Sequence, residues 1–244
     1  MTEDEIRKNA FSGPFTSPGF PRPPFRFKNR EILIISYRTD PEALRKVVPE
    51  PLTFDEPVVK YEFIKMPDSS GLGSYTESGQ IIPVSYQGNE GSYTHAMYLN
   101  SFPGVTSGRE MYGYPKKLAE PLLEVRSDTL VGTLDYQGIR VATATMGYKY
   151  QPLDVAEIKA SLLKPGYLLK TIPDPDGTAR ICELVVFTAS EINVKEAWSG
   201  PASLELHPHC FAPVSSLPVL EILSAVYIIT DLTLDNARII HNYL

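Results

Sequence analysis

Apolar and polar positions alternate, or crowd into β-branched and aromatic runs, along most of this chain, while helical periodicity is scarce. Residues 30–38 (REILIISYR), 58–66 (VVKYEFIKM), 80–86 (QIIPVSY) and 92–99 (SYTHAMYL) have the composition of strands. Residues 130–150 read as a hairpin turning at Tyr136-Gln137-Gly138. Residues 181–198 and 220–234 also have strand chemistry, and each is long enough to bend or break. Two short helices stand out. Residues 40–49 offer Asp40 as N-cap, Pro41 in the first turn and Pro49 as a stop; residues 154–164 offer Asp154 as cap and Pro165 as stop.

Strands that follow one another without helical crossovers predict a largely antiparallel sheet. A sheet of this extent curls into a barrel or splits into a sandwich, and its interior is where a pocket belongs. Pro14, Pro18, Pro21, Pro23 and Pro24 cannot donate to a ladder, so residues 1–25 are expected as an extended arm lying over the surface or over a neighbouring subunit. No repeat or linker-like break divides the rest, and a single domain over 1–244 is the expectation.

Composition narrows the function. With 43% hydrophobic and 21% charged residues the chain can bury a core. A net charge of -6, without clustered Lys and Arg, argues against nucleic acid. Two cysteines, Cys182 and Cys210, make neither a disulfide framework nor a Cys-x-x-Cys site. The charged first eight residues do not read as a signal peptide, and the apolar tract 219–229 is short for a membrane span and carries Glu221. A cytoplasmic protein without membrane partners is therefore expected.

Several candidate sites compete. The run from Gly71 to Gly79 lacks both the third glycine of a dinucleotide loop and a Walker lysine, and it opens onto a strand; it reads as a turn that carries Glu77 to a defined place. His207, His209 and Cys210 lack third and fourth partners at workable spacing, so no metal is expected. There is no Gly-x-Ser-x-Gly elbow. Lys116-Lys117 remains. Adjacent lysines are ordinarily a solvated pair, but Met111, Tyr112, Tyr114, Pro115 and Leu118 surround this one with apolar side chains.

Gly108-Arg109-Glu110 followed by Tyr114-Pro115-Lys116-Lys117-Leu118 resembles the active-site segment of the acetoacetate decarboxylase family. The likeness extends to Tyr37-Arg38-Thr39-Asp40, to Gly71-Leu72-Gly73 with Tyr75-Thr76-Glu77-Ser78-Gly79-Gln80, and to VATATMGYK at 141–149, in order over nearly the whole chain. It implies a carboxy-lyase that converts acetoacetate into acetone and CO2 with no cofactor. Its fold would be a mainly β (α+β), large antiparallel β-barrel or cone with a few short helices, assembled into a large homo-oligomer. Position by position it implies Lys116 as the Schiff-base lysine, Lys117 as a neighbouring cation, Arg30 as an active-site arginine, and Glu77 and Glu62 as pocket carboxylates.

A lysine must be neutral to attack a ketone. From a reference pKa of about 10.4, the shift needed near pH 6.4 is worth about 5.5 kcal/mol. Acetoacetate decarboxylase is itself a standard example of lysine activation, so the choice lies between causes already on offer: desolvation or a nearby cation. In an extended segment Lys116 and Lys117 point to opposite faces, and a neighbour in water supplies only about 1 kcal/mol. Desolvation is thus the expected main cause, with Phe27, Met97 and Tyr114 as pocket walls. Two rivals stay open: a Schiff-base aldolase-dehydratase on the same scaffold, and a non-catalytic β-barrel that binds small ligands.

Overall fold

A computed structural model describes all residues, 1–244. Its main feature is a twelve-stranded, mostly antiparallel sheet. From one end its path runs Gln151–Pro152, Ala189–Ser199, Glu221–Leu234, Phe25–Arg38, Val58–Met66, Tyr75–Tyr86, Asn89–Leu99, Gly166–Pro173, Ala179–Phe187 and Arg238–Asn242. Two short strands join it at the side, Asp68–Ser69 and Lys116–Leu118. A second sheet of four strands is built from Ala202–Leu206, Ile139–Gly147, Thr129–Tyr136 and Glu120–Arg126. Four short helices, Glu3–Asn9, Pro41–Arg45, Phe102–Ser107 and Val155–Leu162, complete the mixed α+β fold.

The Val58–Met66 strand shows how one sequence serves two interiors. Its odd positions, Val59, Tyr61 and Phe63, are fully buried in the main core, which also takes Leu130, Leu134 and Ala144 from the smaller sheet. Its even positions, Lys60, Glu62, Ile64 and Met66, face a cavity on the other side of the large sheet. A strand covered on both faces shows no clean apolar–polar alternation, and here the polar members of the second face are chemical groups.

Two bulges curl the large sheet around that cavity. Phe27 and Arg30 are three residues apart and belong on opposite faces of a regular strand, yet both line the cavity. The register slips between them, with Asn29 at φ 53° and its N–H donating to Asp231 Oδ1 over 2.8 Å. Thr94 and Met97 share the cavity for the same reason, because the pairing with Gln80 and Ile81 slips at His95. Each bulge resets the phase of its strand and bends it. Burial pulls the His95 imidazole down to about 4, so it is neutral at the bulge.

The expected closed barrel or cone is not formed. The ladder ends at Gln151–Pro152 on one side and at Arg238–Asn242 on the other. Ala179–Phe187 and Ala189–Ser199 adjoin in sequence but pair on opposite arms of the sheet. Phe187 packs on Tyr114 with ring centroids 5.3 Å apart, and both line the cavity together with Leu162. Residues 3–9 also depart from the extended arm expected there. They form a helix, with a reciprocal capping box between Thr2 and Glu5.

Candidate active site

The short strand Lys116–Leu118 runs parallel to Asn89–Leu99, with Lys116 opposite Met97, Lys117 opposite Tyr98 and Leu118 opposite Leu99. Strand alternation then separates the two lysines. Lys116 turns inward and is 8% exposed, whereas Lys117 turns out and donates to the carbonyl oxygen of Phe211 over 2.8 Å. The amine of Lys116 donates to Oε1 of Glu77 over 2.6 Å, and Glu77 is 3% exposed. Glu77 stands on Tyr75–Tyr86, just after the turn made by Gly71 and Gly73, both at positive φ. The glycine-rich run therefore delivers a carboxylate, as its sequence suggested.

The cavity has a volume of about 240 Å³. Phe27, Arg30, Glu62, Glu77, Met97, Tyr114 and Lys116 all line it. Of the expected site residues only Lys117 lies outside. Tyr114 sits beneath the lysine, its ring centroid 4.9 Å from Nζ. Arg30 lies beside the Phe27 ring, 5.7 Å from its centroid, and its buried Nε has no hydrogen-bond partner. A buried guanidinium N–H without an acceptor is costly, so this group is poised for an acceptor that enters the cavity.

Glu62 is the carboxyl whose behaviour the site alters most visibly. Burial pushes it up to about 7; Lys60 and then Arg30 pull it back, and Glu77 adds to the rise. It forms no ion pair, with Lys60 or with any other cation. Burial, with the Glu77 charge behind it, also holds the hydroxyls of Tyr75 and Tyr114 well above the usual phenol range, which keeps both protonated. The site thus combines an amine, a carboxylate, a carboxyl that holds its proton near neutrality, and a free guanidinium.

A larger, more open groove of about 930 Å³ lies between Tyr86, Tyr167, Arg238 and Ile240, with no comparable convergence of ionisable groups. No group of three or more His, Cys, Asp or Glu side chains is arranged to hold a metal ion. His209 accepts instead from the N–H groups of Phe211 and Ala212 through Nδ1. No helix is long and apolar enough to cross a membrane.

Sequence reasoning did not find Tyr75 or Thr94 as cavity residues, nor the border formed by Leu162, Gly166, Phe187 and Ala189. Period-two alternation with Glu77 was a signal for Tyr75. For the others no local signal exists, because their place depends on bulges and on strands paired far along the chain.

A buried amine beside a carboxylate, facing an unsatisfied guanidinium in a small cavity, defines a site for lysine-based chemistry on a carbonyl compound that carries an anion. The acetoacetate decarboxylase family matches residues 11–244. The acetoacetate decarboxylase of Bordetella avium is 59% identical over all 244 residues, covering 99% of that protein. A solved structure from structural studies of acetoacetate decarboxylase superposes with a TM-score of 0.97 at 55% identity, over the full length of both chains. The crystal structure of the Legionella pneumophila acetoacetate decarboxylase gives 0.93 at 48% identity, covering 98% of this chain and 96% of that one. This chain belongs to the acetoacetate decarboxylase family.

Proposed function

We propose that the chain decarboxylates acetoacetate to acetone and CO2 through an iminium formed on Lys116. The observation that carries this reading is the buried Lys116–Glu77 pair, 2.6 Å long, in a cavity that also holds the unpartnered Nε of Arg30. The hydrogen bond from Nζ to Oε1 is a path for one proton. Its transfer to the carboxylate leaves the free amine, and the apolar walls, Phe27, Met97 and Tyr114, favour that neutral pair over two separated charges. Desolvation favours the free amine and Glu77 accepts its proton, while Lys117, turned away, contributes little.

The amine attacks the ketone carbon, and loss of water gives a protonated imine. The bond from the α-carbon to the carboxylate then breaks, its electron pair moving toward the iminium nitrogen to give an enamine while CO2 leaves. Protonation of the enamine carbon and addition of water release acetone and restore Lys116. Glu62 is the proton carrier: it is held near pH 7 by burial and lines the same cavity. Arg30 orients the substrate carboxylate. Its contact serves best when modest, because a grip that tightens only on the ground state raises the barrier to losing CO2. Cytoplasmic operation and assembly into a homo-oligomer belong to the same reading; the exposed Phe102, Leu118 and Phe211 side chains are surfaces that assembly would cover.

Incubation with acetoacetate, reduction with borohydride and mass analysis test the reading. A reduced adduct on Lys116 with release of CO2 is expected. An adduct without CO2 would support an aldolase-dehydratase instead, and no adduct would defeat both readings in favour of a ligand-binding protein.

A further inference from the structure

We propose that Gly108 is a positioning residue for the reactive amine, its missing side chain forming the slot in which the Lys116 stem lies. This rests on the Schiff-base reading above. A Cβ placed on Gly108 would stand 2.6 Å from Cδ of Lys116, 2.9 Å from Cε and 3.2 Å from Nζ. The Cα of Gly108 therefore closes one side of the lysine. The Tyr114 ring bounds Nζ at 4.9 Å, and the Glu77 carboxylate holds its end at 2.6 Å.

Backbone conformation does not explain this glycine. Gly108 has φ -61° and ψ -47°, ordinary right-handed helical values. Alanine adopts them readily and is the better helix former. Gly113, five residues on, is different: its φ of 88° is a left-handed conformation, and a Cβ there would strike Lys170 at 2.4 Å. One glycine is required by conformation, the other by the room it leaves for the lysine.

The segment between them is a single π turn, Gly108–Tyr112. The carbonyl oxygen of Gly108 accepts from the N–H groups of Gly113 at 2.9 Å and Tyr114 at 3.0 Å. The wide turn thus ties the residue against the lysine stem to the residue whose ring lies by its amine. Arg109 reaches forward to the carbonyl oxygen of Lys116 over 3.3 Å, and Lys170 donates to that of Met111 over 3.1 Å. An insertion that widens one turn at a functional site is a recurrent use of π geometry. Here it brings a bare Cα against the lysine stem.

Gly108→Ala keeps the backbone and fills the slot. Nζ must then leave its contact with Glu77, and a misplacement on the order of 1 Å costs about 10²-fold in rate. The expected result is a fall in kcat of about 100-fold with KM within about threefold, and an equal fall in the rate of borohydride-trappable adduct formation on Lys116. Wild-type kcat and trapping rate in a folded Gly108→Ala protein would overturn the proposal. If the variant melts lower than wild type, Lys116→Ala in the same chain must restore its Tm to that of Lys116→Ala alone; a deficit that persists without the lysine would place the clash elsewhere and also overturn it. Failure of wild type itself to form an adduct would instead defeat the Schiff-base reading, so the two failures are separable.

Discussion

Replacing Glu62 by Gln separates the energetic role of this carboxyl from its chemical one. The carboxyl rises from 4.5 to about 7 on folding, with burial as the largest cause. A rise of that size corresponds to about 3 kcal/mol, at ~1.36 kcal/mol for each tenfold change in the proton equilibrium. Water reaching the cavity screens part of this, leaving about 2 kcal/mol. The folded state binds the proton more tightly than the unfolded state, so Glu62's contribution is complete below pH 4.5 and is lost as pH rises through about 7. Glutamine keeps the shape without ionising. Thermal melts of both proteins from pH 5 to 8.5 should show the variant gaining on wild type by about 4–8 °C, at roughly 2–4 °C per kcal/mol for a chain of this size. In the same samples, the kcat of wild type should fall above pH about 7, while the variant is slow throughout and lacks that limb. A Tm difference that stays constant with pH, or runs the other way, would refute the assignment of a buried, proton-retaining carboxyl.

Two further substitutions probe the amine. Glu77→Gln removes the acceptor that takes the Lys116 proton; kcat should drop at least about 10²-fold, and borohydride trapping on Lys116 should slow by a similar factor. Unchanged turnover would remove Glu77 from the chemistry. Lys117→Ala deletes an outward cation whose donor hydrogen bond goes to the Phe211 carbonyl. Its influence through water is about 1 kcal/mol at most, so the pH profile of kcat/KM should move by less than about one pH unit. A displacement of several pH units in a folded protein would restore the neighbouring cation as the main cause of activation.

The strand content was legible where a local signal was strong. Val58–Met66 has the expected bounds, and the hairpin turns at Gln137 and Gly138, whose φ values of 52° and 78° suit a two-residue turn. Asp154 caps its helix by accepting from the Ala156 N–H, and the helix ends ahead of Pro165 as expected. The strand predicted over 181–198 does break, at Thr188 between its two observed parts. Other elements were hidden for physical reasons. Phe25–Arg38 begins before its predicted start, residue 30, because the bulge at Asn29 breaks the alternation there and makes Lys28-Asn29 look like a loop. Gly166–Pro173 and Arg238–Asn242 gain their stability from remote partners, and Gly108–Tyr112 carries no periodic signal. The helix at 3–9 has a local signal in its Thr2-to-Glu5 capping spacing, which the neighbouring prolines mask. The site residues came from resemblance. The pairing of Lys116 with Glu77, 39 positions away, depends on strand register that no local pattern reveals.

The carboxylate beside the lysine alters the sequence-level account of activation. Burial and an adjacent carboxylate act on an amine in opposite senses, so a dry cavity alone does not explain the design. Its fuller use emerges at the carbon–carbon bond. Before cleavage the bound intermediate carries an iminium cation and a carboxylate anion; afterwards it is a neutral enamine and neutral CO2. Charge disappears in that step, and an apolar environment favours the side with less charge. In the proposed reaction the walls Phe27, Met97, Tyr114 and Leu232 would therefore assist cleavage as well as the supply of free amine. The same reasoning limits Arg30: each increment of attraction for the carboxylate that is lost when CO2 forms adds to the barrier. A guanidinium set against the Phe27 ring, with no carboxylate partner to fix it, is suited to orient the acid without clamping it. Glu77 can then take the amine proton at the start, while Glu62 keeps a separate proton for the enamine at the end. Two carboxyl groups in one cavity divide these tasks by place: Glu77 accepts from the amine, whereas Glu62, raised by burial to about 7, has no ion-pair partner.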